Sequence, residues 1–408
     1  MQFDLILKVR IKFIICLVVV SSLFTCIDPY VPKLKGYDSL LVVDGLITDE
    51  NASYTVRLSR TMQNQNASPT MVSDADVFII DDAGNNSNLN NKGNGIYKTD
   101  SLDLTGIVGR TYSLHITTKE GNEYVSDPCV MQSVPDIDSI YYARDQELTN
   151  NGTQSQDGLS IYLDSKAGDN NQFFRWAFEE AWEFKVPFPK KFNFDMADSS
   201  ITSVDVIKDY CWKSKNSDEI LIYSNYSGQA GPVKKELMTF IASDQSDRLT
   251  IEYSMLVKQY SISKNEYDFW DNLKQVNENG GDIFASQPFP VISNIHNLSN
   301  PKEKVLGYFQ VSAVKEKRIF IPFSEIVRLQ IPLYHYDQCK RMEIAPSQGQ
   351  TWDDVYMSIC VYSDYYFIEP VYYPGTDILV RMTYSKPECA NCELTGTKTK
   401  PNFWVDLN

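Results

Sequence analysis

The chain has 408 residues, enough for two or three domains with cores of their own. Hydrophobic residues make up 43% and charged residues 22%, the balance of a globular protein. The net charge of −15, with lysine and arginine scattered rather than gathered in a stripe, argues against nucleic acid as a partner.

Lys8, Arg10 and Lys12 precede an unbroken apolar and small-residue stretch from Phe13 to Phe24. That stretch is shorter than the roughly 20 residues a bilayer span needs, and fits the core of a signal peptide. Ser22-Leu23-Phe24-Thr25-Cys26 follows, with the pattern of a lipobox. It predicts a signal peptide over 1–25 and a lipid on the Cys26 thiol. The competing reading is an ordinary secretory signal with a cysteine there by chance. Acyl chains contribute roughly 0.8 kcal/mol per buried methylene, so two or three would hold the protein on a membrane. With Cys16 in the signal, six further cysteines remain: Cys129, Cys211, Cys339, Cys360, Cys389 and Cys392. All are disulfide candidates in an exported protein, and their pairing stays open.

Tyrosine is plentiful at 25 residues, and Tyr, Phe, Val, Ile and Thr fill most apolar runs, which suits pleated strands. Residues 26–37 read as a lipidated tether. Strands are predicted at Ser39 to Thr48, around Tyr54, Val56 and Leu58, at Val77 to Ile80, around Tyr112, Leu114 and Ile116, and at Glu123 to Val130. These short, closely spaced strands predict an immunoglobulin-like β-sandwich over 38–132. Ser133-Val134-Pro135-Asp136 reads as a boundary, and 137–408 as a larger β-rich domain. There the even positions from Phe174 to Val186 are apolar except Glu180, a strand pattern, although Phe174, Phe178 and Trp182 also fit a helix. Leu249, Ile251, Tyr253, Met255 and Val257 alternate more cleanly. Ser263 and Glu266 have capping-box spacing and open a predicted helix over about 263–279, stopped by Gly280-Gly281. Further strands are predicted at Val305 to Val314, Ile319 to Pro322, Val355 to Ile368 and Ile378 to Tyr384.

With these segments laid out, the chain resembles the Bacteroidota outer-membrane lipoproteins grouped as domain-of-unknown-function family 4249. The residues that carry the resemblance are Cys26-Ile27-Asp28-Pro29-Tyr30, Leu41-Val42-Val43-Asp44-Gly45, Cys211-Trp212, and Gln259-Tyr260-Ser261-Ile262-Ser263 leading into Tyr267-Asp268-Phe269-Trp270. Val305-Leu306-Gly307-Tyr308-Phe309, Arg318-Ile319-Phe320-Ile321, Cys389-Ala390-Asn391-Cys392 and Lys400-Pro401-Asn402-Phe403-Trp404 complete it. The resemblance implies an outer-membrane, lipid-anchored protein partnered with a β-barrel, commonly a TonB-dependent transporter, and it brings no catalytic residues. Only Asp28 is acidic just after Cys26, where surface export in these bacteria favours several acidic residues.

The chemistry-bearing residues weigh towards structure. Cys389-x-x-Cys392 lacks the further ligands of a zinc site and reads as structural disulfides to Cys339 or Cys211. His115 falls on the polar side of its strand, His296 reads as a loop residue, and His335 has no second histidine at ligand spacing. No G-x-S-x-G elbow or H-E-x-x-H helix is present, so no catalytic, metal or cofactor residue is assigned. Asp81 and Asp82 before Gly84 read as a hairpin turn, and the neighbours Glu179-Glu180 and Asp353-Asp354 should diverge as strand residues do. Tyr362, Tyr365, Tyr366, Phe367, Tyr372 and Tyr373 form an aromatic segment, half of which strand packing accounts for and the rest of which is a candidate interface. Ser39, Ser101 and Ser139 each sit in an Asp-Ser-aliphatic tripeptide like an O-glycosylation acceptor of the same phylum.

The expectation is a non-enzymatic accessory or binding subunit of a TonB-dependent transporter or other β-barrel complex. It would be lipid-anchored in the outer membrane, on the cell surface rather than the periplasmic face. The alternatives are a surface hydrolase acting on glycans or peptides, and a purely structural envelope protein.

Overall fold

In the computed structural model, which describes residues 39–62, 68–100, 104–149, 152, 154–168, 173–225, 231–279, 291 and 293–407, strands dominate, as the composition predicts. Leu40–Thr61 and Pro69–Asn408 form one unit, to which every element below belongs. The predicted signal peptide, Cys26, the tether, Ser101 and Gly280-Gly281 lie outside the described residues.

The first sandwich follows from side-chain alternation. In Leu41–Ile47, Leu41, Val43 and Ile47 point inward and are fully buried, while Asp44 is exposed. One sheet runs, in hydrogen-bonded order, Leu306–Val311, Leu41–Ile47, Thr55–Arg60, Ile96–Lys98 and Asn90–Asn91. The other runs Ile295–Asn297, Glu123–Ser126, Thr111–Thr117, Asp76–Asp81 and Asn86–Asn88. Their inner faces share one core, in which Val43, Val56 and Phe309 meet Ile79, Leu114 and Ile116.

Two of these strands come from far along the chain. Ile295–Asn297 and Leu306–Val311 lie beyond the 38–132 segment that the sequence assigns to the sandwich. Leu306–Val311 pairs parallel with Leu41–Ile47, setting Gly307 opposite Val43. Gly307 has φ +83°, and a Cβ there would lie 1.9 Å from the Val43 carbonyl oxygen. Only glycine accommodates both the positive φ and that approach. Two segments of the family resemblance are thus neighbours in one sheet. His296, read as a loop residue, sits in the Ile295–Asn297 strand.

Val134 belongs to the first core and Ile137 to a second. The second core lies between a three-stranded sheet (Ile137–Leu148, Ser155–Ser165, Val233–Ala242) and a sheet ordered Tyr210–Asn216, Phe173–Lys185, Glu252–Ser261 and Val314–Pro322. Phe174, Trp176, Phe178, Trp182 and Phe184 are buried at alternate positions, interrupted only where Ala181 is buried too, and the segment is a strand. Glu180 shares the buried face because the Tyr253 hydroxyl donates to it at 2.8 Å and Arg248 pairs with it at 3.3 Å.

The third core is small and rests on Met342–Ile344, Leu379–Ser385 and Tyr366–Tyr372. The strand expected over Val355 to Ile368 is only partly present. Trp352–Tyr356 is a helix, continued by a π-helical turn at Met357–Val361. Thr351 and Asp354 form a reciprocal capping box that nucleates it, so Asp353 and Asp354 lie in a first helical turn rather than on a strand.

Two disulfides join Cys211 to Cys392 and Cys339 to Cys389. Cys129 and Cys360, also disulfide candidates from sequence, are free thiols in the fold. Cys129 lies by the first core and Cys360 by the third.

Candidate functional site

The outer face of the first sandwich meets the outer face of the Phe173–Lys185 sheet. Alternation again decides which residues meet. Asp44, Leu46, Arg57 and Gln310 point away from the first core, and Arg175, Ala177, Glu179 and Lys258 point away from the second. Leu46, Phe173, Ala177, Tyr267 and Trp270 pack around Tyr260, Ile262 and Val314, forming an apolar floor. Beside it the faces separate into an open cleft of about 550 Å³. The Lys264–Asn279 helix contributes Trp270 to its wall.

That helix begins where the Ser263 hydroxyl accepts the Glu266 backbone N–H at 3.2 Å, as the capping spacing predicts. The Glu266 carboxylate is buried and accepts the Trp270 indole N–H at 3.4 Å. Phe269, one turn along, packs on Tyr308 with ring centroids 4.8 Å apart. The buried side of the helix therefore carries a carboxylate, which its apolar pattern in sequence does not announce.

Arg175 is the centre of the cleft's electrostatics. Its guanidinium carbon lies 4.5 Å from the Tyr260 ring centroid and 4.9 Å from that of Trp270. Such stacking holds a planar cation in place through the ring quadrupoles. Among the described residues Arg175 makes no ion pair, and its Nε is buried without a hydrogen-bond partner. The other cations of the cleft are matched. Arg57 pairs with Asp44 at 3.2 Å, and Lys258 pairs with Glu316 at 2.8 Å and Glu179 at 3.5 Å. Burial alone lowers the Lys258 amine, but its hydrogen bond to Glu316 and the two carboxylate charges outweigh burial and hold it above the usual lysine range. Burial raises the Tyr260 phenol against the pull of Arg175 and Lys258. Burial also pushes the Glu266 carboxyl up to about 7, against the pull of Arg175.

Gln310 completes the site. It opposes Leu46 in the parallel pair and is 5% exposed, and its side-chain carbonyl has no hydrogen-bond partner among the described residues. Phe309 and Val311 on either side point into the sandwich core, so Gln310 faces the cleft.

The residues singled out in sequence do not gather there. In the aromatic segment Phe367 is buried, Tyr365 and Tyr366 are half-buried, and Tyr362, Tyr372 and Tyr373 are exposed. Tyr362 precedes the Tyr366–Tyr372 strand and Tyr373 follows it. His115 stacks on Phe78 and His296 bonds Asp127 at 2.8 Å. Asp81 closes its hairpin by accepting the Ala83 and Asn85 N–H groups. Ser39 is exposed and Ser139 is half-buried within a strand. Among the described residues no three His, Cys, Asp or Glu side chains converge to hold a metal ion, and no helix is long and apolar enough to cross a membrane. Sequence reasoning missed Arg175 and Gln310. The available signal was a lone cation inside Phe173-Phe174-Arg175-Trp176.

Among known proteins, no curated protein matches the chain. A solved structure described as "Biofilm associated protein - BSP domain" aligns at 8% identity with a TM-score of 0.13, a level that carries no information on fold or function. The alignment covers 72% of this chain, which spans about 63% of that structure's length. The family described as domain of unknown function DUF4249 matches residues 27–318, which include both faces of the cleft and the Lys264–Asn279 helix. The chain belongs to the DUF4249 family.

Proposed function

We propose that the chain is a non-enzymatic binding or accessory subunit, lipid-anchored through Cys26 at the outer-membrane surface and partnered with a β-barrel of the TonB-dependent transporter type. The observation that carries the binding role is the cleft, an open space of mixed polar and apolar lining with one stacked guanidinium in its wall that makes no ion pair among the described residues. Small-molecule sites have this character, with a few placed polar groups against aromatic surface. The anchor rests on the Leu23 to Cys26 signal, and two disulfides suit an oxidising compartment. The barrel partner is what the family resemblance implies.

The test is affinity purification of the native lipidated protein from a mild-detergent extract, with partners identified by mass spectrometry. A stoichiometric β-barrel supports the proposal, and the barrel's identity separates nutrient capture from envelope assembly. Recovery of the chain alone overturns the accessory role and turns attention to glycan and peptide hydrolysis.

A further inference from the structure

We propose that the cleft binds a small organic carboxylate carrying a hydrogen-bond donor near its acid group, with the acid on Arg175 and the donor on the side-chain carbonyl of Gln310. This deepens the binding-subunit reading and names the chemistry its site selects.

A guanidinium presents a rigid fork of donors that matches a carboxylate in two parallel hydrogen bonds. Tyr260 and Trp270 occupy the faces of Arg175, so its N–H edges remain for recognition. No described carboxylate takes them up, and Nε is buried and unpaired. The anions lining the cleft are otherwise engaged. Asp44 is held by Arg57 and Glu179 by Lys258, while Glu50 lies exposed and accepts the Thr48 hydroxyl at 3.2 Å. Glu266, buried near Arg175, is also outside ion-pair distance, and with its carboxyl pushed to about 7 it neutralises the cation only in part at neutral pH.

Gln310 supplies the second requirement. A buried carbonyl oxygen without a donor is costly, and an incoming N–H or O–H removes that cost. A ligand with an acid alone would leave Gln310 unsatisfied, and one with a donor alone would leave Arg175 unneutralised. The volume of about 550 Å³ holds a ligand of a few residues or sugar rings, not a folded partner. Two sources offer this chemistry, the carboxyl end of a short peptide and an acidic sugar.

The experiment is calorimetric titration of the full chain in mild detergent. The probes are alanyl-alanine and galacturonic acid, each against its neutral counterpart, alanyl-alanine amide and the galacturonate methyl ester. The expected result is that one acid binds at least about tenfold more tightly than its counterpart, as a charge-assisted bidentate contact implies. The acid that binds identifies the source. Arg175→Gln is expected to remove the preference, and Gln310→Leu to weaken the acid while leaving acid favoured over neutral form. Should Arg175→Gln fail to fold, Arg175→Lys keeps the charge without the fork and is expected to lose most of the affinity. Absence of binding by both acids, equal binding of acid and neutral forms, or undiminished binding by the Arg175 variant that folds overturns the proposal. The two readings fail separately, because co-purification reports on the barrel and titration on the cleft.

Discussion

Arg175 and Tyr260 stand directly opposite one another on neighbouring antiparallel strands, and the guanidinium of the first lies 4.5 Å from the ring centroid of the second. Trp270 covers the same guanidinium from the helix that follows the Tyr260 strand. Strand register and helix start thus fix one cation between two rings. Replacing Arg175 by Ala removes both contacts, with an expected loss of about 1 kcal/mol from cation–π stacking of this exposure. Urea unfolding checks this, and Arg175→Lys should recover part of the loss. No change in midpoint for Arg175→Ala would mean the stack is not stabilising.

Glu266 predicts a pH signature. Burial raises its carboxyl from the usual 4.5 to about 7 in the fold, facing Arg175 from the adjacent sheet, Cys129 and Tyr308 from the sandwich and Trp270 from its own helix. Between those values the folded state holds a proton that the unfolded state has lost, so stability falls as pH rises through the window and is level above it. Glu266→Gln removes the ionisation, and its gain over the parent should grow from near zero at pH 4.5 to on the order of 3 kcal/mol at pH 8. Paired melts across that range give the curve. A constant difference would show that Glu266 does not titrate in the window.

Gly307→Ala tests the return of the chain into the sandwich. The new Cβ would meet the Val43 carbonyl oxygen and force an unfavourable φ, and backbone on both sides leaves nothing to yield. A loss of about 3 kcal/mol or more is expected, or failure to fold, as for other incompatible glycine replacements. An alanine variant as stable as the parent would contradict the parallel pairing.

Peptide mapping under non-reducing conditions should recover Cys211 with Cys392 and Cys339 with Cys389, and leave Cys129 and Cys360 as thiols. Burial and the Glu266 charge push the Cys129 thiol up to about 12, and burial pushes Cys360 to about 11. Both should therefore resist alkylation at pH 8 until the protein is unfolded, since the thiolate is the reactive form. Removing the Cys211–Cys392 link should lower the melting temperature, with a cost of roughly 2–5 kcal/mol by the usual range for native disulfides.

Where local pattern decides the structure, the sequence was legible. Alternation placed the Phe173–Lys185 and Glu252–Ser261 strands, and the Ser263 cap placed the helix start. Pairing across more than 260 residues was not legible, because nothing near Leu306 says that its partner is Leu41–Ile47. The Trp352–Tyr356 helix was hidden by an apolar run that outweighed the Thr351 and Asp354 cap. The cleft was the least legible feature. Its residues come from six strands and one helix, and its defining property, a cation without an ion pair and a carbonyl without a donor, exists only once the two sheets have met.

The most direct test of the central claim, a lipid-anchored subunit of a barrel complex, is the native mass of the particle extracted in mild detergent. The expected species contains one β-barrel chain together with this chain, lipidated at Cys26 and beginning there. A particle with the mass of this chain alone, or of its self-assembly, would contradict it.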